Sequence, residues 1–492
     1  MRSLTYRRAW HACARAICAA LALFAFLCTA SARAEIDGML RVKLARLGSP
    51  SELTMKADCD YYVVGDPSVR LPSGTELTVS ADGGRLTLTA GENSLSLGGS
   101  VQLTRDATGS RGMTFLSPSL SNRFCGDLML TASGDAITAV LRIYVEDYLY
   151  GVVGYEMPPS SAPEALKAQA IVARNYALRQ KASRGGSAYD LSDSGDALCF
   201  RGYNSAGEYA NVLRAVDDTR GQVACYDDSP ATCYFCESNG GQTESAANAL
   251  GVSLPYSQVM DDPYDYDGAG IKKTAALRRD GVELHPFLEA ALIRGAAEQL
   301  SGLGVNNLAG VRITAIEDVA PESPRFASPS RLYQSLAVTA SFSGQTPSGE
   351  TVSARATVHV PTYGGLEDWY ELGINDENNE TVWVSQTNRA FEITFRRSGS
   401  GVGLSQRGAQ VMAKKGLSCE TILDYYYPGV ALRKYELRDA SRESGSSATS
   451  FRPGSSRPIA SARLSQKSRL YESADASAGS LTTLPAGATV SV

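Results

Sequence analysis

Histidine is almost missing from this chain: three occur in 492 residues, at His11, His285 and His359. Neither His285 nor His359 sits in a nucleophile or metal motif, which sets aside a Ser-His-Asp hydrolase and a multi-histidine zinc enzyme. Basic charge is also short, with 47 Lys and Arg against 52 Asp and Glu and a formal net charge of -5. Phosphate binding needs clustered positive charge and none is visible, so nucleic acid is excluded as the main partner and a carbohydrate or wall polymer fits better. Beyond the first 34 residues no stretch is long and apolar enough for a membrane span. The glycine cluster Gly399-x-Gly401-x-Gly403 lacks the lysine of a phosphate loop and the βαβ setting of a dinucleotide fold, and reads as a tight turn before a helix; no cofactor is expected. With 20% charged and 43% hydrophobic residues, the chain has the composition of an ordinary folded protein.

What is present begins with an export signal expected over residues 1–34. Arg2, Arg7 and Arg8 supply a basic start, Ile17 to Cys28 an apolar run shorter than the ~20 residues a bilayer span needs, and Ser31-Ala32-Arg33-Ala34 a small-residue cleavage site. This segment holds five Arg and no acid, so its removal takes the charge from -5 to -10. The expected location is therefore secreted. Seven cysteines follow it, Cys59, Cys125, Cys199, Cys225, Cys233, Cys236 and Cys419, an odd number whose spacing assigns no pairing. Cys233-x-x-Cys236 lies in a strand-like apolar stretch, where residues three apart face opposite ways, and is read as buried and structural, not as a zinc site.

The chain divides by pattern, within a prior of about two to four domains for this length. Residues 35–139 alternate in short runs broken by Gly, Asp and Ser, the mark of hairpins and a β-rich region. Residues 140–280 form a first part of a core. A helix is expected from Tyr144 to the prolines at 158 and 159, and a second from a Ser161 and Pro163 start to Gly185, with an inward stripe of Leu166, Ala170, Ala173 and Ala177. Residues 281–384 read as an α/β insertion, and 385–437 as the second part of the core, with helices at "SQRGAQVMAKKG" and "SCETILDYYYPG". A Ser-, Arg- and Gly-rich linker covers 438–458. Residues 459–492 resemble an incomplete Src-homology-3-like wall-binding domain. The expected fold class is α+β.

One residue stands out physically. Val145, Leu149, Val152 and Glu156 follow one helix face, so Glu156 places a carboxyl on an apolar stripe at a helix end. Desolvation and the negative end of the helix dipole both raise its pKa. Such a group stays protonated near neutral pH and can give a proton to a leaving oxygen. The alternative is a glutamate that merely surfaces where its helix stops.

Five segments then carry a resemblance: "YVEDYLYGVVGYEMPPSSAPEALKAQAIVARNYALRQK", "AVDDTRGQV", "ESNGGQTES", "PYSQVMDDPYD" and "GVGLSQRGAQVMAKKGLSCETILDYYYPG". In this order they resemble the SpoIID/LytB family, named for a stage II sporulation protein D and an amidase enhancer. The resemblance implies a peptidoglycan lytic transglycosylase whose Glu-Met-Pro glutamate, here Glu156, is catalytic. It implies glycan strands as substrate, stripped of stem peptides in sporulation members. The alternative is a non-catalytic, glycan-binding enhancer of a cell-wall amidase. Lys167, Gln169 and Arg174 match the family's second helix and either bind substrate or brace the Glu156 helix. Gly240, Gly241, Thr243, Glu244, Gly401, Gly403, Ser405 and Gln406 would line the cleft, or serve only as turn and cap residues. Where some members resemble a zinc-binding version, this chain has Ser192, Asp196 and Ala197, so no metal is expected. Two family histidines are replaced by Cys236 and Ser400.

Overall fold

The computed structural model describes residues 35–195, 198–267 and 271–439, with four short strands between Ser461 and Ser491. The expected leader, Asp196 and Ala197, and the linker from residue 440 to 458 lie outside the described residues.

The fold is α+β. Alternating burial in strands such as Glu76–Asp82 and Arg85–Ala90, with Leu77, Val79, Leu86 and Leu88 inward, leaves one apolar face per sheet, which has to be covered by another layer. Two sheets meet that need in the N-terminal region. One has six strands in the order Ser119–Phe124, Met113–Ser117, Glu52–Ala57, Glu76–Asp82, Arg85–Ala90, Asn93–Ser96. The other has seven, in the order Leu191–Ser192, Met39–Lys43, Ala136–Tyr144, Asp127–Ser133, Ser100–Arg105, Tyr61–Val63, Asp66–Leu71.

The long strand Ala136–Tyr144 runs straight into the helical part. Helix α1 (Val145–Tyr150) starts directly after its last residue, and a single helical turn, α2 (Val153–Glu156), follows. The one continuous helix expected here is therefore two. A Cβ at Gly151 would meet the Phe200 ring at 2.8 Å and the Gly202 backbone at 2.9 Å, so the chain turns where the segment after residue 198 crosses it. Helix α3 (Pro163–Ser183) begins on Pro163, but its cap position is Ala162 with no side-chain hydrogen bond, not Ser161. The expected stripe of Leu166, Ala170, Ala173 and Ala177 is fully buried. Helices α4 (Ala210–Asp218), α6 (Gln406–Lys414) and α7 (Cys419–Tyr426) pack around α3.

A second hydrophobic cluster gathers residues from Ala275 to Phe395 only. It lies between a sheet of Lys272–Arg278, Ala390–Arg396 and Thr381–Gln386, a sheet of Arg312–Pro324, Tyr333–Gln345 and Thr351–Pro361, and helix α5 (Pro286–Gly295). Its outermost strands pair Lys272 with Arg396, so this unit is wider at both ends than residues 281–384. In the tail, Ser461–Arg463 pairs with Thr489–Ser491 and Ser468–Tyr471 with Ser480–Leu484, both antiparallel. Among the described residues no helix is long and apolar enough to cross a membrane.

Candidate active site

Glu156 closes α2, with Met157 already extended at its cap position. Its Oε1 accepts a hydrogen bond from the Cys199 backbone N–H at 2.6 Å. Burial pushes its carboxyl above the usual range; the Cys199 N–H and the positive charge of Arg201 pull it back only in part. The shift therefore comes from desolvation. A four-residue helix offers few aligned peptide dipoles, so the dipole half of the sequence argument has little to act through.

The loop that reaches Glu156 is delivered by the sheet. Strand Leu191–Ser192 pairs in parallel with Met39–Lys43, and the Asp193 N–H donates to the Lys43 carbonyl. Further along, the Arg201 N–H donates to the Gly151 carbonyl at 2.8 Å. Arg201 Nη1 donates to the Asp193 and Phe200 carbonyls at 3.0 and 3.4 Å. Beneath lies Tyr148, fully buried and stacked on Phe200 with ring centroids 4.7 Å apart. Its hydroxyl and Asp193 Oδ2 are buried without a hydrogen-bond partner. Burial raises both groups, and the Tyr148 phenol feels the charges of Glu156 and Asp193. A cavity of about 250 Å³ opens beside this loop, lined by Tyr176, Arg184, Tyr189 and Ser192 among others. Tyr148, Asp193, Cys199 and Arg201 escaped the sequence reading as site residues.

The predicted α3 residues do not join Glu156. Arg174 is fully buried; its Nη2 and Nε donate to the equally buried Glu146 carboxylate at 2.6 and 3.0 Å, and its Nη1 to the Gln222 carbonyl at 3.2 Å. Lys167 pairs with Glu164 at 3.0 Å and Asp218 at 3.3 Å. Gln169 accepts from Gln406 Nε2 at 3.4 Å, linking α3 to α6. Of the two roles open to Arg174, these contacts are those of a brace that ties α3 to α1 and to the strand Gln222–Tyr226.

The two glycine segments are brought to each other. Phe235 and Cys236 pair in parallel with Leu404 and Ser405, and the Glu244 N–H donates to the Gly401 carbonyl at 2.8 Å. The buried Arg397 sits between them, its Nε and Nη2 donating to the Asn239 and Gln242 carbonyls at 3.2 and 3.0 Å. Gly240, Gly241, Gly401 and Gly403 all have left-handed φ, from +74° to +91°, a conformation glycine adopts without penalty. At Gly401 a Cβ would also meet the Arg397 guanidinium at 2.6 Å. Thr243 Oγ1 donates to the Gln258 carbonyl, and Glu244 accepts from Ser245 N, Asn248 Nδ2 and Ser330 Oγ. Ser405 caps α6 through the Gly408 N–H. Glu156 takes no hydrogen bond from this network.

Six of the seven cysteines are buried and Cys199 is half-buried, all as free thiols; Cys233 and Cys236 are thus buried, with no disulfide between them. Among the described residues no group of three or more His, Cys, Asp or Glu side chains gathers to hold a metal ion.

Residues 133–226, which include Glu156, Arg174 and Arg201, match the family described as Stage II sporulation protein. The chain is 29% identical over 312 residues to Stage II sporulation protein D of Bacillus subtilis (strain 168), covering 60% of this chain and 76% of that one. To the Amidase enhancer of the same organism it is 30% identical over 300 residues, 58% of this chain and 40% of the relative. An uncharacterized protein of Brachyspira hyodysenteriae (strain ATCC 49526 / WA1) is 26% identical over 400 residues, 81% of this chain and 94% of its own length.

Proposed function

The chain belongs to the SpoIID/LytB family, whose work concerns the cell wall, and on that premise we propose that it is an exported peptidoglycan lytic transglycosylase with Glu156 as its acid and base. One observation carries the reading: Glu156 is a largely desolvated carboxyl, raised above the usual range and tied by one backbone N–H. Such a group holds its proton at a pH where exposed carboxyls have lost theirs. It gives that proton to the glycosidic oxygen and then takes one from the C6 hydroxyl of the sugar, which closes a 1,6-anhydro ring. Because the sugar supplies its own nucleophile, no second carboxylate has to activate water.

The second reading, a non-catalytic amidase enhancer that binds glycan, has a relative of that name and the structural engagement of Lys167, Gln169 and Arg174 in its favour. Digestion of intact and of peptide-stripped peptidoglycan by the purified protein separates the two. Lytic transglycosylase action yields 1,6-anhydro ends, in greater amount from stripped strands. Unchanged peptidoglycan, with stimulation of an added amidase, supports the enhancer.

A further inference from the structure

The unit of residues 272–396 carries an aromatic surface that plays no part in the site above. Phe287, on the first turn of α5, is 64% exposed although it is a large apolar side chain. Its ring centroid lies 5.5 Å from His285 and 6.4 Å from Trp369, and His285 lies 5.5 Å from Tyr370. The four rings are tilted to one another by 42° to 55°, so they form a shallow curved surface and not a closed stack.

The local structure holds them there. His285 Nδ1 accepts from the Phe287 N–H and so caps α5, which leaves its Nε2 as the protonated, donating nitrogen. The Tyr370 hydroxyl accepts from the His285 N–H at 3.0 Å and keeps its own proton to donate. The surface therefore combines apolar ring faces with separate donors around them.

We propose that His285, Phe287, Trp369 and Tyr370 form a binding platform for the sugar rings of a glycan strand. The proposal deepens the wall reading, and rests on it for the source of the sugar. A pyranose ring offers C–H groups on its faces and hydroxyls at its rim, matching this mixture of ring faces and polar edges. Size argues in the same direction. Aromatic side chains bury roughly 150–250 Å² each when fully covered; with three of these rings already half-buried, the patch falls short of the ~800 Å² per partner of a stable protein interface. Among the described residues no Lys or Arg lies over any of the four rings, so the ring faces are free to stack on a neutral sugar.

The chain reports on this surface by itself, since after the leader its tryptophans are Trp369 and Trp383, and Trp383 donates to the Gly240 carbonyl away from the patch. The experiment uses the full chain with Glu156→Gln, so that cleavage cannot consume the probe, and follows tryptophan emission on titration with an N-acetylglucosamine tetramer and with peptide-stripped glycan strands. A saturable change is expected, weakened about tenfold by Phe287→Ala, as for loss of a central aromatic contact. Co-sedimentation of the same variants with insoluble chitin should show the same loss. Phe287 is mostly exposed, so its replacement leaves the fold intact, which circular dichroism checks. Equal binding by Phe287→Ala, or no response to either sugar, overturns the platform. So does capture of a protein partner through Phe287 without any sugar response. Product release by the wild-type chain is measured separately; release with unchanged Phe287→Ala binding removes the platform alone, and binding without release removes the catalytic reading alone.

Discussion

A carboxyl that is desolvated and held by one N–H titrates at higher pH than its exposed counterparts, and the direction of the effect at Glu156 fixes a pH profile. As general acid Glu156 must be protonated, so activity falls as pH rises through its raised pKa. The Arg201 charge lowers that pKa; Arg201→Gln should move the alkaline limb of kcat/KM to higher pH, and an unmoved limb would separate Arg201 from the chemistry. At Arg174 the prediction concerns stability. Its ion pair with Glu146 is fully buried, and removing one partner of such a pair typically costs about 3–5 kcal/mol. Denaturant unfolding of Arg174→Met should show a loss of that order; normal stability with lost glycan binding would make Arg174 a substrate residue instead. The sequence made Glu156 legible because apolar spacing is a local property. It could not show Cys199 or Arg201 beside it, because a strand pairing with Met39–Lys43 brings their loop there.

At the scale of elements, the period of residues 145–156 suits one helix and equally two short ones, and the choice falls on Gly151, where the Phe200 segment crosses. That crossing is tertiary, and so the break was not readable from periodicity. By contrast α3, α6 and α7 follow their sequence signals closely, since Pro163, Ser405 and Ser418 mark their starts. The turn at Thr362–Leu366 and the helical residues Glu367–Trp369 carry a further titration. Burial, with the nearby Glu380 charge adding to it, pushes the Glu367 carboxyl up to about 7. The folded chain binds this proton more tightly than the unfolded chain, so the contribution is full below the ordinary glutamate value of 4.5 and is lost as pH rises through about 7. Unfolding midpoints measured across that range should decline for the wild type and decline less for Glu367→Gln. Equal slopes would mean that Glu367 titrates as an exposed group.

For the whole molecule, two hydrophobic clusters share one chain, and the second is enclosed between the paired strands Lys272–Arg278 and Ala390–Arg396. The sequence placed an insertion here but drew it as 281–384, because the flanking strand "KKTAALR" has three charged and five exposed residues among its seven and does not read as core. We propose that the two clusters unfold as separate units. Phe342 is fully buried in the second, and Phe342→Ala, which removes about 3–5 kcal/mol from a well-packed core, should lower one calorimetric transition and leave the other in place. A single transition that falls as a whole would show one cooperative unit. Whether Glu156 performs the cleavage is decided by mass spectrometry of products from peptide-stripped glycan strands treated with the wild-type chain and with Glu156→Gln at equal folded concentration. With Glu156 as acid and base, 1,6-anhydro ends form with the wild type and none with the variant; equal products from both would mean that another group does the chemistry.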